Sequence, residues 1–92
     1  MVWTVTLSNK AAKQVSKLPE RVREMLKALV LGIAATGPVK KEWHNYSILS
    51  NGDHHCHLKK GQPTYVAVWQ VMDKSIKLVE VKYVGTHEKA PY

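Results

Sequence analysis

A single cysteine, Cys56, in a chain of 92 residues excludes an internal disulfide, and it fits a reducing compartment. No stretch approaches the roughly 20 apolar residues that a membrane-spanning helix needs. The most apolar run, Leu26 to Ala35, is short and follows several charged residues. The opening Met1-Val2-Trp3-Thr4-Val5-Thr6-Leu7 lacks a basic region ahead of an apolar one, so no signal peptide is expected. The expected location is cytoplasmic, away from the membrane. Arginine is scarce: Arg21 and Arg23 are the only two. Any phosphate contact made by the second half of the chain must therefore fall to lysine and histidine. Neither Cys-x-x-Cys nor His-Glu-x-x-His occurs, so the common sequence patterns of zinc sites are missing. There is no internal repeat and no low-complexity segment.

Positive charge is abundant. Fourteen Lys and Arg face seven Asp and Glu, for a formal net charge of +7 and a pI near 9.7. A small domain this basic is suited to a polyanion: RNA, DNA, an anionic membrane surface or an acidic protein. A lysine-rich solvated face is the plain alternative. The hydrophobic fraction of 45% is that of a globular chain, not a disordered one. Residues 1–92 make one domain with one modest core.

Residues 2–7 alternate as a strand, with Trp3, Val5 and Leu7 on one side. Ser8 is a good N-cap for a helix over about 9–18, in which Ala11, Val15 and Leu18 share a face. Pro19 breaks that helix and suits the start of the next. The second helix, over 19–35, buries Val22, Leu26, Leu29, Val30 and Ile33, and Gly37-Pro38 ends it. Lys40 to Asn45 reads as a polar connector. Strands are expected from Tyr46 to Leu49, His54 to Lys60, Tyr65 to Met72 and Ile76 to Val84. Turns fall at Asn51-Gly52, Lys60-Gly61-Gln62-Pro63 and Asp73-Lys74-Ser75. The fold class is α+β: an N-terminal strand, then two antiparallel helices packed on one face of a twisted antiparallel sheet of three to four further strands.

The segment His54-His55-Cys56-His57-Leu58-Lys59-Lys60 carries the most chemistry. Strand alternation sends Cys56 and Leu58 to the core, and His55, His57 and Lys59 to the opposite face. Two imidazoles and an ammonium on one sheet face suit the cutting of a phosphodiester. A base takes the proton of a 2′-hydroxyl as it attacks the neighbouring phosphate, and an acid protonates the leaving 5′-oxygen. Imidazole titrates near neutrality and fills either role. Lysine offsets the charge that builds on the phosphate oxygens. No metal or other cofactor is needed. Zinc binding by His55 and His57 is the competing reading, but Cys56 points away from them. His54 and His55 at the strand start are otherwise merely solvated. Cys56, in the core, is an unpromising nucleophile. Trp43, Tyr65 and Trp69 are able to stack on bases, although strand aromatics more often pack. The tail from Val84-Gly85-Thr86-His87 to Tyr92 bends at Gly85. That bend places His87 beside the basic face as a further acid or base, against the default of a disordered end.

Taken together, the basic strand, the run Tyr65-Val66-Ala67-Val68-Trp69-Gln70-Val71, the strand to Val84, the stretch Val84-Gly85-Thr86-His87 and the terminal Tyr92 resemble the RelE/ParE toxin superfamily. The resemblance spans the chain in element order, and its motifs are specific in the last forty or so residues. It implies two helices on a twisted antiparallel sheet. It also implies an endoribonuclease that cuts mRNA on the ribosome by 2′-hydroxyl attack and is neutralised by a cognate antitoxin. By that resemblance His55, His57, His87 and Tyr92 form the catalytic set, and Lys59, Lys60 and Lys89 bind RNA phosphates. One departure stands out. RelE-like enzymes place an Arg near the start of the strand after the basic one, where this chain has Tyr65 or Val66. Lysine supplies a point charge without the bidentate fork of Arg. A ParE-like DNA gyrase poison, of the same fold and without nuclease chemistry, is the alternative. A further one is an inert binding module with solvated histidines.

Overall fold

The computed structural model describes residues 2–92. Strand β1 (Thr4–Leu7) leads into helix α1 (Asn9–Val15), and helix α2 (Glu20–Thr36) follows. Strands β2 (Ser47–Ile48), β3 (His54–Lys59), β4 (Tyr65–Asp73) and β5 (Leu78–Thr86) come next, and a 3₁₀ turn over His87–Lys89 ends the ordered elements. The five strands form one sheet in the order β1-β5-β4-β3-β2. Strands β2 to β5 pair antiparallel, as expected. Strand β1 adds to the far side of β5 in parallel, Thr4 opposite Leu78 and Leu7 opposite Val81, so the sheet as a whole is mixed.

Local chemistry explains the helices. Ser8 caps α1 by accepting the Ala11 amide at 3.0 Å. Helix α1 stops at Val15, three residues short of the expected end; Lys17 and Leu18 instead close a turn onto the carbonyls of Gln14 and Val15. Helix α2 runs as expected and buries Val22, Leu26, Leu29 and Ile33 along one face. Gly37 ends it at φ 100°, where its amide donates to Ile33 at 2.8 Å. A left-handed residue here favours glycine, and a Cβ would also stand 3.2 Å from the indole nitrogen of Trp3.

The sheet has two working faces. The helix-side core joins Ala11, Leu18, Val22, Leu26, Leu29 and Ile33 to Cys56, Leu58, Ala67, Trp69, Val79, Val81 and Val84. Trp43 and the half-buried Tyr65 pack on its margin, and Trp69 lies wholly within it, closed to any base. On the opposite face Val66, Val68 and Tyr83 form a smaller cluster, against which Leu49 and Ala90 pack. Alternation breaks in β5: Val68 pairs with Tyr83 but Trp69 pairs with Val81. The extra residue, Lys82, lets Val81 and Val84 both face the helices.

Candidate active site

The site is built on the face away from the helices, and β3 supplies its centre. His55 lies opposite Val68 and His57 opposite Val66, so both imidazoles stand beside the small apolar cluster. The neighbouring His54 goes the other way. It is 7% exposed, stacks on Trp69 with ring centres 5.8 Å apart, and shares a hydrogen bond of 2.7 Å between its Nδ1 and the Tyr46 hydroxyl. The reading of His54 as a solvated residue is thereby corrected. Trp69 offers an apolar plane and Tyr46 a hydrogen bond, and together they replace water. Desolvation lowers the His54 pKa, against a smaller opposing pull from Asp53. His55 is equally buried and is held by Ser47, whose Oγ lies 3.0 Å from its Nδ1.

The tail folds onto this face. Tyr83 donates its hydroxyl to the Thr86 carbonyl at 2.8 Å, and the His87 amide donates to Thr64 at 2.8 Å. These two bonds tie the 3₁₀ turn to the end of the sheet. His87 then lies 5.5 Å from His57, ring centre to ring centre, and 5.9 Å from Tyr92. Tyr92 sits 4.8 Å from His55, and His55 lies 6.1 Å from His57. His55, His57, His87 and Tyr92 thus close a ring of four side chains. A depression of about 250 Å³ opens beside it, lined by His57, the turn Gly61–Thr64, Thr86, His87 and Glu88.

His44 joins the cluster without having been expected there. Its ring meets His57 edge-on at 5.6 Å, and its carbonyl accepts the His57 amide at 2.8 Å. The next residue, Asn45, adopts φ 53°, a conformation Asn tolerates better than most residues. That turn separates His44, on the site face, from Tyr46, which packs on the helix side. The only sequence signal was a histidine in a connector, and the contact depends on a pairing with β3 that no local pattern encodes.

The electrostatics of the cluster are those of crowded imidazoles. Burial is the first cause that lowers the His57 pKa; His87, His55, His44 and Lys60 follow as like charges. Both effects favour the neutral form of His57. Burial raises the Tyr92 phenol, with Tyr83 and Cys56 adding to it, so the phenol keeps its proton. Burial also pushes the Cys56 thiol up to about 12, which leaves it inert in the core. No group of three or more His, Cys, Asp or Glu is arranged to hold a metal among the described residues.

The lysines do not all gather at this cluster. The β3–β4 register slips between His57 and Lys59, so the alternation that predicts a shared face for His55, His57 and Lys59 does not carry past Leu58. Lys59 pairs with Tyr65, which packs on the helix-side core, and its Nζ lies 3.9 Å from where a Cβ on Gly61 would stand. Lys60 is the cation whose field reaches His57. Lys89 lines a second depression, beyond Thr86 and against α1. At the position where an Arg was missed, Val66 is fully buried opposite His57 and Tyr65 packs on the helix side, so neither takes the place of that Arg.

No protein-family model matches the chain, and no curated protein matches it by sequence. Solved structures do. A doubly substituted E. coli toxin RelE in the free state is 24% identical and superposes with a TM-score of 0.67, over 98% of this chain and 88% of that one. The intact E. coli RelBE toxin–antitoxin complex contains a chain 25% identical, with a TM-score of 0.67 over 95% of this chain and 99% of that one. The isolated E. coli RelE toxin is 24% identical, with a TM-score of 0.65. The likeness extends over nearly the whole of both chains, and the fold of this chain is RelE-like.

Proposed function

We propose that the chain is the toxin of a toxin–antitoxin pair and that it cuts messenger RNA on the ribosome, without metal, by attack of a 2′-hydroxyl on the adjoining phosphate. The observation that carries this reading is the ring of His55, His57, His87 and Tyr92 beside one open depression. In the proposed reaction His57, whose neutral form is favoured first by burial, takes the 2′-hydroxyl proton. His87, exposed across the depression, returns a proton to the leaving 5′-oxygen. Tyr92, protonated and half-exposed, stacks on a base and donates to the phosphate. Lys60, at the β3–β4 turn and near enough to act on His57, offsets the charge on the phosphate oxygens. His55, fixed by Ser47, keeps Tyr92 in position. Lysines in place of arginine make a less directional phosphate clamp, so more of the work falls on the imidazoles.

A cognate antitoxin is part of the same reading. One of the similar structures is a toxin–antitoxin complex, and a surface of net charge +7 suits an acidic segment that folds on binding. The test is purified protein on translating ribosomes, with primer extension to map cuts in the mRNA. Intact wild-type protein should cut. His57→Ala and His87→Ala should each lower the rate about 10²- to 10⁴-fold, the usual contribution of a general acid or base, with unchanged circular dichroism. Intact mRNA accompanied by DNA breaks would instead indicate a gyrase poison of the same fold.

A further inference from the structure

Thr86 separates two depressions. One is the histidine-lined site; the other, of about 290 Å³, runs between α1 and the end of β5 and is lined by Gln14, Lys17, Tyr65, Tyr83, Gly85 and Lys89, with Leu18, Val84 and Thr86 completing it. We infer that this second groove is a single-stranded RNA subsite, holding the nucleotide next to the one cut at the histidine cluster. The inference rests on the nuclease reading for its location and adds the track that the substrate follows.

Three observations carry it. First, the groove adjoins the active depression: Thr86 lines both, and the 3₁₀ turn after it holds His87 on one side and Lys89 on the other. A chain leaving the scissile phosphate needs to cross only Thr86 to enter it. Second, the charge is of one sign. Lys17 and Lys89 line the groove, and Lys10 stands beside it with Nζ 5.7 Å from the centre of the Tyr83 ring. No Asp or Glu lines it, whereas Glu88 lines the active depression. Lysines on exposed stems suit phosphate oxygens, and the half-buried Tyr65 gives the groove an aromatic wall of the kind on which bases stack. Third, the groove is firmly built. The free edge of β5 is closed by α1, whose Gln14 accepts the Val84 amide at 2.9 Å, and the Ser8 hydroxyl donates to the Lys82 carbonyl at 3.3 Å. Its volume is near the lower end of ligand-sized clefts, about 300 Å³, enough for one nucleotide.

This also explains why Lys89 is absent from the histidine ring: it serves the neighbouring phosphate. The experiment measures affinity for a fluorescent all-2′-O-methyl RNA oligonucleotide, which cannot be cut, across a range of salt. Wild-type protein should bind it. The double variant Lys17→Ala/Lys89→Ala should bind at least tenfold more weakly at low salt. Its log–log salt slope should be shallower by about 1.4, since each phosphate contact with a single strand contributes about 0.7. Lys74→Ala, in the turn at the other end of β4 and β5, should match wild type. No binding by the wild type, or the same affinity and slope in the double variant, overturns the subsite. So does a poly-glutamate peptide that binds as tightly as the RNA and loses affinity in the same variant, because the groove then belongs to an acidic protein. The nuclease reading fails separately: RNA binding that depends on the two lysines, with no cutting of translated mRNA, removes the reaction and keeps the groove.

Discussion

Gly85 leaves room for Tyr83. A Cβ there would stand 2.7 Å from the Tyr83 hydroxyl oxygen, and that hydroxyl is committed to the Thr86 carbonyl. The glycine is thus needed for close approach and not for an unusual φ. Gly85→Ala should displace the phenol, break this part-buried bond and cost about 1–3 kcal/mol. That is a fall in Tm on the order of 5–20 °C for a domain this size, read by thermal denaturation. In a Tyr83→Phe background, with no hydroxyl to displace, Gly85→Ala should cost much less. An equal cost in both backgrounds would show that the clash with the hydroxyl is not the cause. The same residue pair matters to the site, because the Thr86 carbonyl is the last fixed point before His87.

At the scale of elements, the connector between α2 and β2 does more than join them. Trp69 donates its indole N–H to Pro38 at 3.0 Å, the Tyr46 hydroxyl is hydrogen-bonded to His54 Nδ1 at 2.7 Å, and His44 accepts the His57 amide at 2.8 Å. Three bonds to the sheet hold the segment that brings His44 to the active face. Tyr46→Phe removes one of them at about 1 kcal/mol. Hydrogen exchange at the His57 amide should then speed up about fivefold if it proceeds by local opening of this connector. An unchanged exchange rate would mean that the connector is held without the phenol. The elements differ in how legible they were. Alternation in β3 sorted Cys56 and Leu58 from His55 and His57 because the strand pairs in unbroken register with β4 from His54 to His57. It failed at Lys59, where the register slips, and it gave no warning of the extra residue Lys82 in β5, since a bulge leaves no mark in a hydrophobic pattern. Helix α2 was readable from its spacing. The early end of α1 was not, because Leu18 stays buried in a turn as well as it would in a helix. His87 entered the candidate site from its place just past the last strand and Tyr92 through family resemblance, while His44 depended on a left-handed Asn45 and a long-range backbone bond.

For the molecule as a whole, the histidines that make the site also limit its stability in acid. Net charge is +7 with neutral imidazoles and would reach +12 with all five charged, so acidification adds self-repulsion to an already basic domain. Linkage acts in the same direction. His54 and His57 have folded pKa values below the ordinary 6.5, both chiefly through burial. The unfolded chain binds its protons first as the pH falls, and the more protonated state is then favoured. The corresponding stability is fully present above about 6.5, the ordinary imidazole value. It is lost as the pH drops from there through the folded values. Chemical denaturation should therefore show a stability that is flat from pH 8 to 7 and declines below 6.5. His54→Phe keeps a ring against Trp69 and removes the buried proton acceptor, so it should flatten part of that decline. Added salt should relieve the repulsion among exposed charges but leave the share due to His54, which is desolvated and not screened. A decline that salt abolishes entirely, or that His54→Phe leaves untouched, would assign the acid sensitivity to surface charge alone.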